Sequence, residues 1–335
     1  MTTSTEVIRS VFPALRRVVD GAPVAYFDGP GGTQVAQPVL DAMRGYLVEH
    51  NANTHWAYPS SVETDAALAH ARATFAALFN GRPEDVVFGA NMTTLTYHLS
   101  RAVGRSMQPG DEIVVTELDH HANVDPWRAL EQERGVVVRA ARMIPDSGLL
   151  DMDHLEGLIG PRTRLVAVGA ASNAIGTIND VTRAVQLAHD VGALAFVDGV
   201  HFTPHRLPDV SAIGCDFFAC SAYKFYGPHV GIMYARSDVV RDLDFPHLQP
   251  APSAPPERAE TGTLNHEGIV GAAAAVEWLG SLSSGGSLRE QLSVTFDALH
   301  TRGEKCGERL WSLLDAIPGI RLVGPPPGRP RTPTV

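Results

Sequence analysis

Short apolar runs rich in β-branched residues recur along the chain and alternate with stretches whose apolar positions follow helical spacing. The runs are "DVVFG" at 85–89, "DEIVVT" at 111–116, "GVVVRAA" at 135–141, "TRLVAVGA" at 163–170, "ALAFVD" at 193–198, "DFFACS" at 216–221 and "GIMYA" at 231–235. Between them lie helical patterns such as "PWRALEQERG" and "VTRAVQLAHDVG", the second closing on a glycine as helix ends often do. This rhythm predicts an α/β fold, a mostly parallel seven-stranded sheet covered by helices. Ligands of such sheets bind outside the carboxyl ends of the strands.

Outside the repeating part, "MTTSTEVIRSVFPALRRVVD" interleaves arginines with apolar residues and predicts an amphipathic N-terminal helix at 1–20. Residues 246–256 are Pro-rich and read as a loop, and "SLSSGG" at 281–286 reads as a break before a long helix at roughly 287–316. These marks divide the chain into the N-terminal helix, a large domain at 21–282 and the start of a smaller C-terminal domain at 283–335. The closing "LVGPPPGRPRTPTV" reads as the entry to a further strand, so the small domain is expected to be incomplete, cut short after its first helix.

Composition narrows the classes. The 335 residues are 44% hydrophobic and 19% charged, as in an ordinary globular protein, and the net charge of -10 argues against a nucleic-acid or anionic-membrane surface. The N-terminus lacks the unbroken apolar centre of a signal peptide, and no stretch reaches the length of a membrane span. A cytoplasmic protein acting on a small molecule is expected. Three cysteines make no disulfide framework, and Cys215 and Cys220, five apart in one expected strand, should be inert core thiols on opposite faces.

The candidate chemistry sits where apolar runs end. Asp198 closes one run and Lys224 follows another, in "SAYKFYGPHVG". A buried carboxylate or ammonium is costly without a partner. An ordinary turn or cap aspartate is one reading of Asp198; the other is a partner for a pyridinium nitrogen, with Lys224 forming a Schiff base to the same cofactor. "FGANMTTLTYHL" offers a strand, a small-residue turn and a helix beginning near Thr93 or Thr94, whose first turn caps itself or binds an anion. His120 and His121 follow a strand, and a histidine there is either a solvated loop residue or an aromatic face for a cofactor. His201 and His205 have the spacing of a helical zinc pair, but Pro204 breaks the helix that spacing needs, so no metal is expected. "GPGG" at 29–32 lacks the third glycine of a dinucleotide fingerprint, since Gln34 stands there, and reads as a tight turn.

Taken in order, "YFDGPGGTQV", "NANTH", "LDHHANVDPW", "ASNAIGT", "VDGVH", "SAYKFYGP" and "ETGTLNHEGIVG" resemble the class V aminotransferase family of fold-type I pyridoxal-phosphate enzymes, over roughly residues 20–280. Within it the sequence is most similar to the cysteine desulfurase and selenocysteine lyase branch. The resemblance implies pyridoxal 5'-phosphate as cofactor, with Lys224 its covalent anchor and the carrier of the substrate's α-proton. Asp198 would pair with the pyridinium nitrogen and His120 would stack on the ring. Asn173 and His201 would reach ring oxygens, while Met92, Thr93 and Ser221 would hold the phosphate. Thr263 would reach the cofactor of a neighbouring subunit in a homodimer, and Asn53 and His55 would stand near the substrate mouth.

The implied reaction is C–S cleavage of an amino acid, L-cysteine first, with a sulfur-acceptor protein as possible partner. A lyase, an aminotransferase or an epimerase on another amino acid, and a non-catalytic dimerising or regulatory homologue, are the alternatives. Met92 stands where the family usually has a hydroxyl residue, and Tyr223 where the desulfurases commonly have a histidine. Their nucleophilic cysteine and carboxylate-binding arginine have no match here, and Cys306 lies within a helix pattern instead.

Overall fold

A computed structural model describes residues 3–335. Its centre is one seven-stranded sheet: β1 (Val86–Gly89), β2 (Glu112–Thr116), β3 (Val137–Ala141), β4 (Thr163–Gly169), β5 (Leu194–Asp198), β6 (Phe217–Ser221) and β7 (Gly231–Ala235). In space the order is β1-β7-β6-β5-β4-β2-β3, and β7 runs antiparallel to both its neighbours while the other pairings are parallel. Each strand matches an expected run to within a residue or two.

Alternation along these strands builds two apolar layers, because successive side chains point to opposite faces. Val114, Val166, Val168, Val197, Phe218 and Cys220 join one layer, with the helices Pro59–Phe79, Val181–Asp190 and His266–Ser281. Ile113, Val115, Leu165, Ala167, Phe196 and Phe217 join the other, under the helices Met92–Gly104 and Asp125–Arg134. Strands buried on both faces read as near-continuous apolar runs. The long C-terminal helix spans Leu288–Asp315, with Ser287 and Glu290 forming a capping box at its start.

Two expectations are corrected. The part of the 1–20 segment that is described is broken: a helix at Thr5–Ser10, a 3-10 turn at Pro13–Arg16 and paired strands Val18–Val19 and Ala22–Pro23. Pro13 cannot continue the first helix and Gly21, at φ +78°, turns the chain back, while residues 1 and 2 of that segment lie outside the described residues. Cys215 and Cys220 do not point to opposite faces; β6 begins only at Phe217, Cys215 lies in the preceding turn, and both thiols join the same buried layer. The closing segment pairs with the body through a single bridge between Thr177 and Arg331, with Thr332 N–H donating to the Gly176 carbonyl.

Candidate active site

A cavity of roughly 890 Å³ opens at the carboxyl ends of β2, β5 and β6. Lys224 stands in the connection between β6 and β7. Phe225 is buried and packs edge-on to Phe75, while the Phe225 and Gly227 N–H groups both donate to the Ala222 carbonyl, so the turn is closed from below. Its neighbour Lys224 is left to face the cavity. The Lys224 ammonium donates to the Pro30 carbonyl and lies 4.6 Å from the Tyr223 ring centroid. Tyr223 is in turn stacked on His229, at 4.9 Å.

The segment Asp28–Thr33 forms the wall over this lysine. Asp28 caps a 3-10 turn at Gly29–Gly31, and Thr33 fastens it: its N–H and hydroxyl both donate to the Tyr223 carbonyl at 2.9 Å, while its hydroxyl accepts from Tyr226 N–H at 2.7 Å. A Cβ on Gly31 would fall 2.1 Å from Asp28 Oδ2, so the cap requires glycine there. The expected tight turn is therefore also a wall of the cavity. "GPGG" signalled only the turn.

Asp198 ends β5. It is buried, its Oδ1 accepts from Val200 N–H at 2.9 Å, and burial pushes its carboxyl up to about 6, against the pull of that N–H and of Lys224. It is thus largely ionised at neutral pH. His120 accepts from Ala122 N–H at its Nδ1, 3.0 Å away, and burial and the nearby Lys224 charge lower its pKa. The neutral ring therefore carries its proton on Nε2. Asn173 lines the same cavity with no protein hydrogen bond to its amide.

At the opposite side, β1 runs into the helix Met92–Gly104. That helix starts one or two residues earlier than expected, because Asn91 is the cap: its side chain accepts from Thr94 N–H at 2.9 Å and Thr94 Oγ1 accepts from Asn91 N–H at 3.2 Å. Thr94 is used up in the cap, while Thr93 keeps a free hydroxyl on the cavity. Ser221 Oγ accepts from Met92 N–H at 3.0 Å, which leaves its hydroxyl hydrogen to donate elsewhere. β7 comes close enough to complete this corner because Gly231 has no side chain; a Cβ there would fall 2.3 Å from the Asn91 backbone.

His201 also lines the cavity, yet its Nε2 is engaged by the Thr332 and Thr334 hydroxyls at 3.0 and 2.9 Å. Burial, with the nearby His205 and Lys224, lowers its pKa to about 3, so it is neutral. His201 and His205 sit in a turn, edge to face at 5.0 Å, and among the described residues no three His, Cys, Asp or Glu side chains are grouped to hold a metal.

Three expected residues lie outside the cavity. Thr263 lines a separate one with His98 and Leu95, on the far side of Thr94. His55 pairs with Glu257 at 3.0 Å, and Asn53 accepts from Thr54 N–H. Cys306 is exposed and lines a further cavity of roughly 700 Å³ that shares Lys224 and Pro30 with the first. Sequence reasoning gave no role to Asp28, Pro30, Asp119 or His229, all of which line the main cavity.

The donor set fits pyridoxal phosphate. An amine, an ionised buried carboxylate, a neutral imidazole and a free amide surround one end of the cavity, and a helix N-terminus with two hydroxyls faces the other. Fold and cavity define an α/β protein whose ligand cavity lies at the carboxyl ends of its strands, beside a lysine.

The comparisons agree with that class. The aminotransferase class-V family profile matches residues 25–335, and the chain belongs to this family. It is 33% identical to the cysteine desulfurase of Dickeya dadantii, over 95% of this chain and 78% of that protein. A probable cysteine desulfurase of Mycolicibacterium paratuberculosis is 34% identical over 95% of this chain and 47% of its own length. Among solved structures, the apo cysteine desulfurase of Thermococcus onnurineus superposes with a TM-score of 0.82 at 26% identity, covering 94% of this chain and 78% of that one. The Escherichia coli cysteine desulfurase CsdA gives 0.77 at 27% identity, covering 93% and 77%.

Proposed function

We propose that this protein is a pyridoxal-phosphate enzyme that cleaves the C–S bond of L-cysteine. The observation that carries the reading is that Lys224, Asp198, His120 and Asn173, drawn from four separate stretches of chain, line one cavity whose far wall is the start of the helix Met92–Gly104. Its relatives, named as cysteine desulfurases, support the substrate.

Bound there, the cofactor supplies an electron sink for the charge left when the substrate loses its α-proton. The protein's residues do the rest. Lys224 would anchor the cofactor and, as a free amine, would take the α-proton; the Pro30 carbonyl and the Tyr223 ring hold its ammonium in place beforehand. Asp198, ionised and paired with no arginine, would hold a proton on the ring nitrogen. His120 offers a neutral flat face, Asn173 a free amide for the ring oxygen, and Thr93, Ser221 and the first-turn amides the phosphate donors.

The finer reading extends to assembly. Leu47, Val48, Trp56, Tyr58 and Val62 are exposed apolar side chains between residues 47 and 62. Covering them with a second copy would also give Thr263, Asn53 and His55 a cavity to serve, so we infer a cytoplasmic homodimer that passes sulfur to an acceptor protein. No helix of the described residues is long and apolar enough to cross a membrane. We also assign residues 21–282 to the cofactor-binding domain and 283–335 to a smaller one.

The test is a visible spectrum of the reconstituted protein before and after L-cysteine, with Lys224→Ala alongside. Wild type should show a cofactor band that changes with cysteine and, with a thiol reductant present, should release sulfide, and the variant should hold no cofactor covalently. A protein that stays colourless after reconstitution overturns the reading.

A further inference from the structure

Asp119 stands one residue before His120, and the site described above gives it no work. Its carboxylate makes two contacts that join different strands. Oδ2 accepts from Thr116 N–H at 3.0 Å, at the end of β2, and Oδ1 accepts from Gly169 N–H at 2.5 Å, at the end of β4. The ladder between those strands has already stopped, since its last paired residues are Val114 and Val166. Beyond that point Asp119 is the bridge that keeps β2 and β4 together as they part at the cavity.

Gly169 is also the residue paired with Asp198 across β4 and β5, and Ala170 N–H donates to the Asp198 carbonyl at 2.8 Å. One carboxyl therefore ties the His120 loop to the strand end that presents Asp198. A Cβ on Gly169 would fall 2.6 Å from Asp119 Oδ1, so this contact depends on the glycine.

The ionisable side chains lining the same cavity are Asp28 from the wall, His120 from Asp119's own loop, Asp198 and His201 from β5 and its turn, and Tyr223, Lys224 and His229 from the turn after β6. None forms an ion pair with Asp119. Burial and the charge of Asp198 push its carboxyl up to about 8, against its backbone hydrogen bonds. With no cationic partner of its own, the Asp119 carboxyl is held by its two backbone N–H donors.

We propose that Asp119 is a positioning residue: it clamps the His120 loop to the strand end that presents Asp198, and so fixes the imidazole and the carboxylate of the cavity relative to each other. The assignment rests on the cofactor reading above. Its two hydrogen bonds, however, belong to the apo protein as well.

Two measurements test it. In apo protein, amide exchange at Thr116 and Gly169 should be faster in Asp119→Ala than in wild type and partly restored in Asp119→Glu; exchange unchanged in the alanine variant overturns the clamp, whether or not the protein binds pyridoxal phosphate. In reconstituted protein, Asp119→Ala, which loses both acceptors, should weaken pyridoxal-phosphate binding roughly tenfold, the effect of about 1.4 kcal/mol, and Asp119→Asn and Asp119→Glu, which keep an acceptor, should restore part of it. Binding of the alanine variant within twofold of wild type overturns the clamp. A wild type with no cofactor band fails the cofactor reading instead, and amide exchange still decides the clamp.

Discussion

At the amino ends of the strands, acidic side chains are buried and answered by arginine; at the carboxyl ends they are buried and answered by no arginine. Glu112, opening β2, accepts from Arg139 at 2.9 Å and Arg162 at 2.6 Å, and these guanidinium groups hold its carboxyl down at about 2. Asp111 pairs with Arg164, Asp85 before β1 pairs with Arg82, and Asp216 before β6 is held by Arg236, His189 and Ala195 N–H. Asp198 and Asp119, at the other end, have backbone donors and the single ammonium of Lys224 nearby, and both are pushed upward. One edge is satisfied and stabilises the fold. The other keeps charge in reserve, which is where a perturbed carboxyl marks a site of chemistry.

The largest expected effect follows from removing the reserved charge. Asp198→Asn keeps an acceptor for Val200 N–H but cannot hold a proton on a ring nitrogen, so sulfide release should fall by roughly 10²-fold or more. Its stability should move the other way. The carboxyl is raised from its ordinary value of 3.8 to about 6 in the folded protein. Wild-type apo protein therefore enjoys its full relative stability from this group below about pH 4 and loses it as pH rises through about 6. The asparagine variant should be more stable than wild type by about 1 to 3 kcal/mol at pH 8 and equal to it near pH 4. Denaturant melts of the apo proteins at both pH values check the sign; an asparagine variant less stable at pH 8 would contradict the comparison.

Glu112→Gln should give the mirror image. The glutamate's folded pKa is depressed from 4.5 to about 2, so its contribution is present above about pH 4.5 and disappears as pH falls through about 2. Arg139 is half-exposed and Arg162 largely exposed, and solvent discounts the pair to about 1 to 2 kcal/mol. Loss of that stability at pH 7 in denaturant melts, with cofactor affinity and sulfide release unchanged, is the expected result. A variant that binds the cofactor poorly would show the two ends to be coupled.

The sheet was readable because each strand is a short apolar run between turn residues, and burial on both faces makes such runs stand out in the sequence. Lys224 and Asp198 were readable for the same reason, as charges placed just where an apolar run stops. The long helix was readable from the Ser- and Gly-rich break at 281–286 ahead of it. Other features leave no local trace. The antiparallel direction of β7 depends on the tight connection that carries Lys224, and an apolar run of five reads alike in either direction. The contact between Asp119 and Gly169 joins residues fifty apart in sequence, and the engagement of His201 by Thr332 and Thr334 spans more than a hundred. The wall made by Asp28–Thr33 is of the same kind, since its position depends on Thr33 meeting the Tyr223 carbonyl. Pro13 stands in the sequence as a helix breaker, and the expectation of one helix at 1–20 took only the amphipathic pattern into account.

The smallest expected effect concerns how Lys224 is held at an end of the sheet where no side chain forms an ion pair with it. Its ammonium lies over the Tyr223 ring, and that ring is stacked on His229, while the Tyr223 hydroxyl makes no hydrogen bond. The ring rather than the hydroxyl is therefore the useful part. Tyr223→Phe should leave cofactor binding and sulfide release within about twofold of wild type, because the quadrupole that attracts the ammonium survives. Tyr223→Leu removes both the cation–π contact and the stack, and should weaken the site by about 0.5 to 1 kcal/mol. Cofactor titration of the two variants side by side separates them: a phenylalanine variant as impaired as the leucine one would give the hydroxyl the role that the geometry gives to the ring.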